Sequence, residues 1–531
     1  MEDDIFSHFN AILLLIAFAF FSIFIWKISK PRNSLLPEIS GGWPVIGHLL
    51  QFSGADDIPL SRKLATLADK YGPVFTFRLG LPRILVVSSY DAVKDCLNTN
   101  DKAFAARPAS LSGEYIGYNN AMLFLASYGP YWRKIRKIVL QEVLSSSRLE
   151  KLKNVRVSEV QTSIKELYSL FPVAGDDVNF PVKLNLTNWI EKLTLSLIVK
   201  MIAGKSYGRL NEKGEDEEEA ERFKKALKDF MYISMEFVLW DAFPIPLFKW
   251  IDFQGHVKFM KRTFKDIDCV LQNWLDEHVK KRERVDFVAG NEQDFIDVML
   301  SMMSHEDFAD GSTRETTIKA TALSMVLDAS DTTAIHLNWV MAALLNHRDV
   351  MKKAQEELDT KVGRNRWVEE NDIKNLVYFQ AVVKETLRLY PPAPLLVPHE
   401  SVEDCIVQGY HIPKGTRLWV NTMKLQRDPK IWSNPDTFDP ERFLTSQAGF
   451  DVRGQQYEFI PFGSGRRSCP GITYATQVTH LAIAHLLQGF DFSTPSNEPL
   501  DMKEGLGMTM RKVNPIEVLI TPRLPSVLYM F

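Results

Sequence analysis

The chain has 531 residues, 63 basic against 66 acidic side chains, a net charge of -3, and 45% hydrophobic and 11% aromatic residues. This composition buries a large core and excludes disorder, collagen-like repeats and low complexity; the near-neutral balance excludes a nucleic-acid binder that relies on a strongly basic face. The cysteines, Cys96, Cys269, Cys405 and Cys469, include no C-x-x-C pair, so they make neither a disulfide scaffold nor a zinc ribbon and fit a reduced, cytosol-facing chain.

Phe9 to Trp26 reads FNAILLLIAFAFFSIFIW without a charge, long enough to span a hydrocarbon core of about 30 Å. Glu2, Asp3 and Asp4 precede it, and Lys27, Lys30 and Arg32 follow it. Positive charge on the C-terminal flank predicts that residues 1–8 face the lumen and the rest of the chain the cytoplasm. A cleaved signal peptide would need a basic start and a small-residue cleavage site, and the sequence has neither. Residues 27–47, with Pro31, Pro37, Pro44 and Gly41-Gly42, predict a stiff, extended hinge. Residues 48–531 contain no further linker and predict one catalytic domain. The acidic run Glu215 to Glu221 reads as a solvated loop before a helix around Phe223 to Phe230.

Within that domain, Val74 to Val87 alternates and turns at Gly80-Leu81-Pro82, the pattern of a hairpin. From Tyr90 onward helical periodicity dominates: around YWRKIRKIVLQEVL, in NWIEKLTLSLIVKMIAG, from about Thr316 to Asn346, through Gln355 to Glu357, and from Leu376 to Leu389. Short strands such as Arg417 to Asn421 recur late. The expected class is mainly α, an α+β fold with a minor sheet.

Near the C-terminus, Cys469 stands in a Gly- and Pro-rich loop, FIPFGSGRRSCPG, that opens into an amphipathic helix near Ile472. Backbone N–H groups and the helix dipole at such a position lower a thiol's pKa, and Arg466 and Arg467 add positive charge. Gly463, Gly465 and Gly471 admit close approach of a flat ligand. A buried cysteine is most often a small hydrophobe, so the loop leaves that reading open beside a metal-ligating or nucleophilic thiolate. No histidine stands in an obvious Cys–His arrangement, which favours ligation over nucleophilic attack.

Phe462, Gly465, Arg467, Cys469 and Gly471 match, without a gap, the F-x-x-G-x-R-x-C-x-G loop of cytochrome P450 monooxygenases, which this chain therefore resembles. The resemblance implies the cytochrome P450 fold, heme b with Cys469 as axial iron ligand, and Arg467 on a heme propionate. A thiolate ligand pushes electron density toward the iron and favours O–O cleavage. Glu385 and Arg388 form an E-x-x-R pair that shares a helix face. With Arg442 of FDPERF, the resemblance makes these a buried structural triad rather than catalytic residues. Trp132 and Arg136 resemble a W-x-x-x-R propionate contact, and His399 occupies a position that adds another.

The longest helix carries SMVLDASDTTAIHLNW. By resemblance, Asp331 and Thr332 are the acid–alcohol pair that relays protons during oxygen reduction, a positioned general-acid role. Threonine in mid-helix also commonly bonds back to a carbonyl. The sequence departs from the family pattern at Ala329, where glycine is usual, and at Asp328, where a small residue is usual. Asp328 lies one turn before Thr332, hence on the same face. A buried carboxylate needs a partner, so Asp328 is a candidate contact for a protonated substrate amine.

Substrate-facing segments implied by the resemblance are Phe104 to Phe124, Phe230 to Phe253, the start of the long helix, Pro391 to Val397 and Gly505 to Met510. Arg133, Lys134 and Lys137 would face an acidic reductase. No flavin or nicotinamide signature is present, so electrons from NADPH would arrive through NADPH–cytochrome P450 reductase. Asn185-Leu186-Thr187 is a sequon that the cytoplasmic side would leave unused.

GGWPVIGHL, LADKYGPVFTFRLGLP, SMEFVLWDAFPIPLFKW and DVRGQQYEFIPFGSGRRSCPG further resemble a plant microsomal, alkaloid-oxidising subgroup that contains nicotine N-demethylase and tropinone synthase. The expectation is an endoplasmic-reticulum monooxygenase of plant specialised metabolism, in contact with membrane lipid and a small-molecule substrate. It would oxidise an amine alkaloid at the carbon next to nitrogen. The alternatives are a hydroxylase of a terpenoid, flavonoid or other alkaloid, and a non-oxygenating heme-thiolate isomerase.

Overall fold

The computed structural model describes Phe18, Phe21 and residues 36–53, 57–172, 180–207, 215–234, 236, 238–245, 248, 252, 254–284, 294–303 and 313–530. The predicted anchor, Phe9 to Trp26, lies outside the described residues except for Phe18 and Phe21. Among the described residues no helix is long and apolar enough to cross a membrane.

The principal helices are α1 (Leu60–Tyr71), α2 (Pro130–Ile138), α3 (Lys153–Tyr168), α4 (Leu186–Ala203), α5 (Glu215–Ile233), α6 (His256–Arg282), α7 (Arg314–Asn346), α8 (Arg348–Lys361), α9 (Val377–Leu389) and α10 (Ile472–Gly489). The longest is α7. It starts where Thr313 Oγ1 accepts from Thr316 N at 3.1 Å, and its buried residues run around its whole circumference from Ile318 to Leu327 and from Ala334 to Leu345. A helix apolar on every side belongs in the middle of a protein. There α4, α6, α9 and α10 surround it, and one cluster of buried side chains joins all five. Asn185 caps α4 through its Oδ1, 2.9 Å from Asn188 N.

Among the described residues the strands form three small sheets. β1 (Val74–Arg78) and β2 (Arg83–Val87) make the expected antiparallel hairpin, turning at Gly80 with φ +71. β3 (Val182–Asn185), β4 (His399–Glu400), β5 (Cys405–Val407), β6 (Tyr410–Ile412), β7 (Arg417–Val420), β8 (Phe490–Ser493) and β9 (Glu517–Pro522) complete the set. The largest sheet has the order β1-β2-β7-β4, with β7 parallel to β2 and antiparallel to β4. A helix-rich body with minor sheets agrees with the sequence reading.

One local reading needs correction. The acidic run is the first turns of α5, not a loop, because carboxylates at a helix N-terminus complement its dipole. Glu219 within it is buried, accepting from Tyr207 Oη at 2.6 Å and from Lys205 Nζ at 3.2 Å. The end of the hinge lies against the body: Ile39 N donates to Thr76 O at 3.0 Å, and the Ile39 side chain is buried.

Candidate active site

A cavity of about 250 Å³ lies between α7, the Pro461–Gly471 loop, the start of α10, α2 and the Pro392–Val397 segment. Helical spacing decides which α7 side chains reach it. Ser324, Met325, Asp328, Ala329, Thr332, Thr333 and His336 share one side and line it.

Cys469 stands at the floor. Its N–H donates to Phe462 O at 2.9 Å, which closes the loop, and its Sγ accepts from Gly471 N at 3.3 Å. Gly463 and Gly465 have φ +70 and +69, in the left-handed region. A Cβ on Gly465 would stand 2.4 Å from Leu97 O, so this turn admits no larger residue without movement. With no cation bound to the sulfur, burial pushes the Cys469 thiol up to about 11, against the Gly471 N–H and Arg136. Arg466 does not support the sulfur. Its Nε pairs with Asp101 Oδ2 at 3.0 Å, and its guanidinium lies over the Tyr128 ring.

Arg107, Arg136, His399 and Arg467 line the same cavity. Arg467 donates to Ala105 O at 2.7 Å and Ala126 O at 2.6 Å and stacks on Trp132 at 4.3 Å, while its buried Nη1 has no partner. Arg136 donates to Ser468 O at 2.7 Å. Trp132 Nε1 donates to Leu123 O at 3.2 Å, so its N–H is engaged within the fold. Arg107, which the sequence reading did not single out, is buried and donates to Phe124 O at 3.0 Å and to Val397 O and Pro398 O, both at 2.8 Å. Burial holds Arg107 well below its usual range and Arg467 at about 10. Among the described residues none of the three arginines has a carboxylate within ion-pair distance. Such a group is stable only beside an anion of matching charge.

A family model for cytochrome P450 matches residues 37–520. The chain is 65% identical to nicotine N-demethylase of Nicotiana tomentosiformis, over 98% of this chain and all of that protein. It is 50% identical to vinorine hydroxylase of Rauvolfia serpentina, over 94% of this chain and 93% of that one. A solved zebra fish cytochrome P450 superposes with a TM-score of 0.71 at 25% identity, covering 88% of this chain and all of that chain. The chain belongs to the cytochrome P450 family. It is a monooxygenase that uses heme with a thiolate-ligated iron and electrons drawn from NADPH through the reductase.

The site fits that cofactor. A cytochrome P450 needs a thiol facing a flat slot and cations for two propionates. Cys469 supplies the first, and Arg107, Arg136 and Arg467, with the orphaned Arg467 Nη1, supply the second. His399 lines the same cavity, and its Nδ1 lies 2.8 Å from Phe104 O; burial and the field of Arg107 pull the ring's pKa down.

The acid–alcohol pair is divided between two faces. Thr332 lines the cavity, and its Oγ1–H donates back to Asp328 O, the helix-interior bond common for threonine. Asp331 points outward and pairs with Arg511, beside Glu191, Lys224 and Lys228. Burial raises Asp331 and Arg511 lowers it, with a net rise. With alanine at 329, α7 runs through this point unbroken.

Asp328 lies on the cavity side, one turn before Thr332. Its exposed surface opens into the cavity rather than to bulk water, and burial pushes it up to about 7, against Ser324 Oγ at 3.3 Å and the field of Arg107.

The triad forms as expected. Arg388 Nε and Nη2 lie 2.7 and 2.8 Å from the two Glu385 oxygens, and Arg442 Nε lies 3.1 Å from Oε1, all buried. Arg388 Nη1 donates to Gln426 O at 2.9 Å, and Gln426 Oε1 accepts from Ile460 N at 3.2 Å. The triad thus anchors the strand of chain that enters the Cys469 loop.

Of the expected substrate-facing segments, Arg107, Leu123, Phe124, Pro392, Ala393, Leu396 and Val397 line the cavity. Described residues from 230–253 and 505–510 do not. The middle of α7, not its start, reaches it. Arg133, Lys134 and Lys137 are exposed on the side of α2 away from Trp132.

Proposed function

We propose that this cytochrome P450 is held at the endoplasmic reticulum by residues 9–26, with its catalytic body in the cytoplasm, and oxidises a basic amine of plant specialised metabolism at the carbon next to nitrogen. N-demethylation and ring oxidation share that first step. The observation that carries this reading is Asp328, a carboxyl among Leu123, Phe124, Met325, Pro392, Leu396 and Val397 with no cation in ion-pair contact among the described residues. The N-demethylating relatives support it.

Bound heme supplies activation of O2 and insertion of one oxygen atom into a C–H bond. The protein supplies position and exclusion of water. Asp328 draws an ammonium to α7, one turn from Thr332, and the apolar walls hold the neighbouring carbon dry. Charge-assisted hydrogen bonds contribute about 1.5–3 kcal/mol, so Asp328→Asn is expected to weaken amine binding about ten- to a hundredfold and leave a neutral ligand of the same shape unchanged. Equal affinities for the amine in both proteins would defeat the reading.

A second reading, hydroxylation of a neutral terpenoid, flavonoid or other alkaloid, draws on Ser324 and Arg107, which already favour the Asp328 carboxylate, and on the vinorine-hydroxylating relative. Thr332 in the cavity wall favours oxygen chemistry over an isomerase.

A further inference from the structure

An anchor needs only charge, and a charge is best kept by exposure or by tight pairing. Asp328 has neither. Its carboxyl accepts one long hydrogen bond, from Ser324 Oγ at 3.3 Å, and otherwise faces the apolar walls of the cavity. The charged and titratable groups around it are few. Asp331 is on its own helix and turned outward to Arg511; His336 lies two turns further along that helix; Arg107 is held by backbone carbonyls; and Cys469, Tyr474, His399, Arg136 and Arg467 line the same cavity. This is how a protein makes a carboxyl that exchanges protons near neutrality rather than one that only holds charge.

Resting on the amine reading, we propose that Asp328 is an acid–base residue: its carboxylate takes the proton of the bound ammonium before oxidation and returns it to the product amine before release. The N–H bond breaks, its electron pair stays on nitrogen, and the proton bonds to a carboxylate oxygen, so that an ammonium and a carboxylate become a neutral amine and a carboxylic acid. The chemistry needs this. A protonated nitrogen has no lone pair to feed the adjacent C–H bond, and its charge opposes removal of hydrogen there. After oxidation the acid protonates the product amine, which restores both charges and readies the product to leave toward water.

The physical basis is a convergence of proton affinities. In water an aliphatic ammonium and an aspartic acid differ by about 6 units, and the proton stays on nitrogen. An apolar cavity penalises both charges, raising the acid and lowering the ammonium. Burial alone has already raised the acid to about 7, close to half of that gap.

The test uses the full-length, heme-loaded chain with its reductase in microsomes and N-methylpyrrolidine as probe. Affinity is read from the perturbation of heme absorption and kcat at saturating amine, from pH 6 to 9.5. The unmodified enzyme is expected to hold kcat level above neutrality and to lose it only on the acid side, where Asp328 is already protonated. Asp328→Asn is expected to lose about a hundredfold in kcat at pH 7, the scale of a positioned acid–base group, and to regain about tenfold per pH unit as free amine accumulates. Asp328→Glu restores kcat near neutrality and shifts the acid limb along the pH axis. Weaker binding by Asp328→Asn with an unchanged kcat profile would refute proton transfer and leave the anchor standing. Unchanged affinity and unchanged profile would remove both. If Asp328→Asn fails to hold heme, an acid limb that stays in place in Asp328→Glu refutes the proposal.

Discussion

Glu385→Gln tests how the heme-side core is held. The carboxylate accepts from Arg388 Nε and Nη2, Arg442 Nε and Asp439 N, at 2.7, 2.8, 3.1 and 2.9 Å. Glu385 and Arg388 are wholly buried and Arg442 nearly so. The two cations therefore share Glu385 as their buried anion, with the half-exposed Asp439 carboxylate 3.9 Å from Arg442 Nη2, supplemented by carbonyls of Gln426, Pro435, Thr437, Ser433 and Asn434. Glutamine keeps the volume but removes the charge and turns an NH2 group toward guanidinium donors. Removing one partner of a buried ion pair costs about 3–5 kcal/mol, because it strands the other. The loss is read as a fall in the urea unfolding midpoint with earlier heme release. A matched control is Glu356→Gln, which breaks the exposed i,i+4 pair with Lys352 at the surface and is expected to cost about 0–1 kcal/mol. If Glu385→Gln shifts the midpoint no more than the control, the carbonyl cage alone supports Arg388 and Arg442, and the argument from stranded charge is wrong.

Gly465→Ala places a Cβ against Leu97 O at a residue with φ +69, and an expected cost of about 1–3 kcal/mol should appear as reduced heme content at unchanged expression. Arg511→Gln removes the cation that opposes burial at Asp331. The Asp331 pKa then rises further, so the infrared C=O stretch of its protonated carboxyl should appear at higher pH, while substrate affinity stays constant. At His278, burial pulls the pKa down but Asp294, 3.0 Å from Nε2, and the Trp274 carbonyl, 2.6 Å from Nδ1, outweigh it, and the net shift is upward. Its contribution to stability is thus complete below the unfolded value of about 6.5 and disappears as pH rises through the folded value. His278→Gln should flatten that fall in urea midpoint, and an unchanged slope would show that another group titrates.

What was readable in the sequence follows the range of the interactions. The Cys469 loop and the Glu385–Arg388 pair are built from neighbours in the chain, so their spacing is their geometry. The β1–β2 hairpin and α7 were legible for the same reason. Arg107 was not, because what marks it as a site residue is a set of carbonyls at Val397 and Pro398, far away in sequence. The Asp331 partner is equally remote: Arg511 lies in the C-terminal segment, and only the three-dimensional structure separates Asp331 from Thr332 by face. Helical spacing could have given half of that answer, since adjacent residues on a helix point about 100° apart. At Cys469 a dipole and nearby arginines can be read from a sequence, whereas the depth of burial that raises the unligated thiol cannot.

What the enzyme oxidises is the central question. Microsomes carrying the full-length chain and a plant reductase, given NADPH and a mixture of pyrrolidine and tropane-precursor amines with terpenoid and flavone controls, would report it directly through the masses of the products. Products confined to the amines, with loss of a methyl carbon or oxidation of the ring carbon beside nitrogen, are the predicted result. Turnover of the neutral controls alone would contradict it, leaving the heme-thiolate fold in place and returning Asp328 to a structural role.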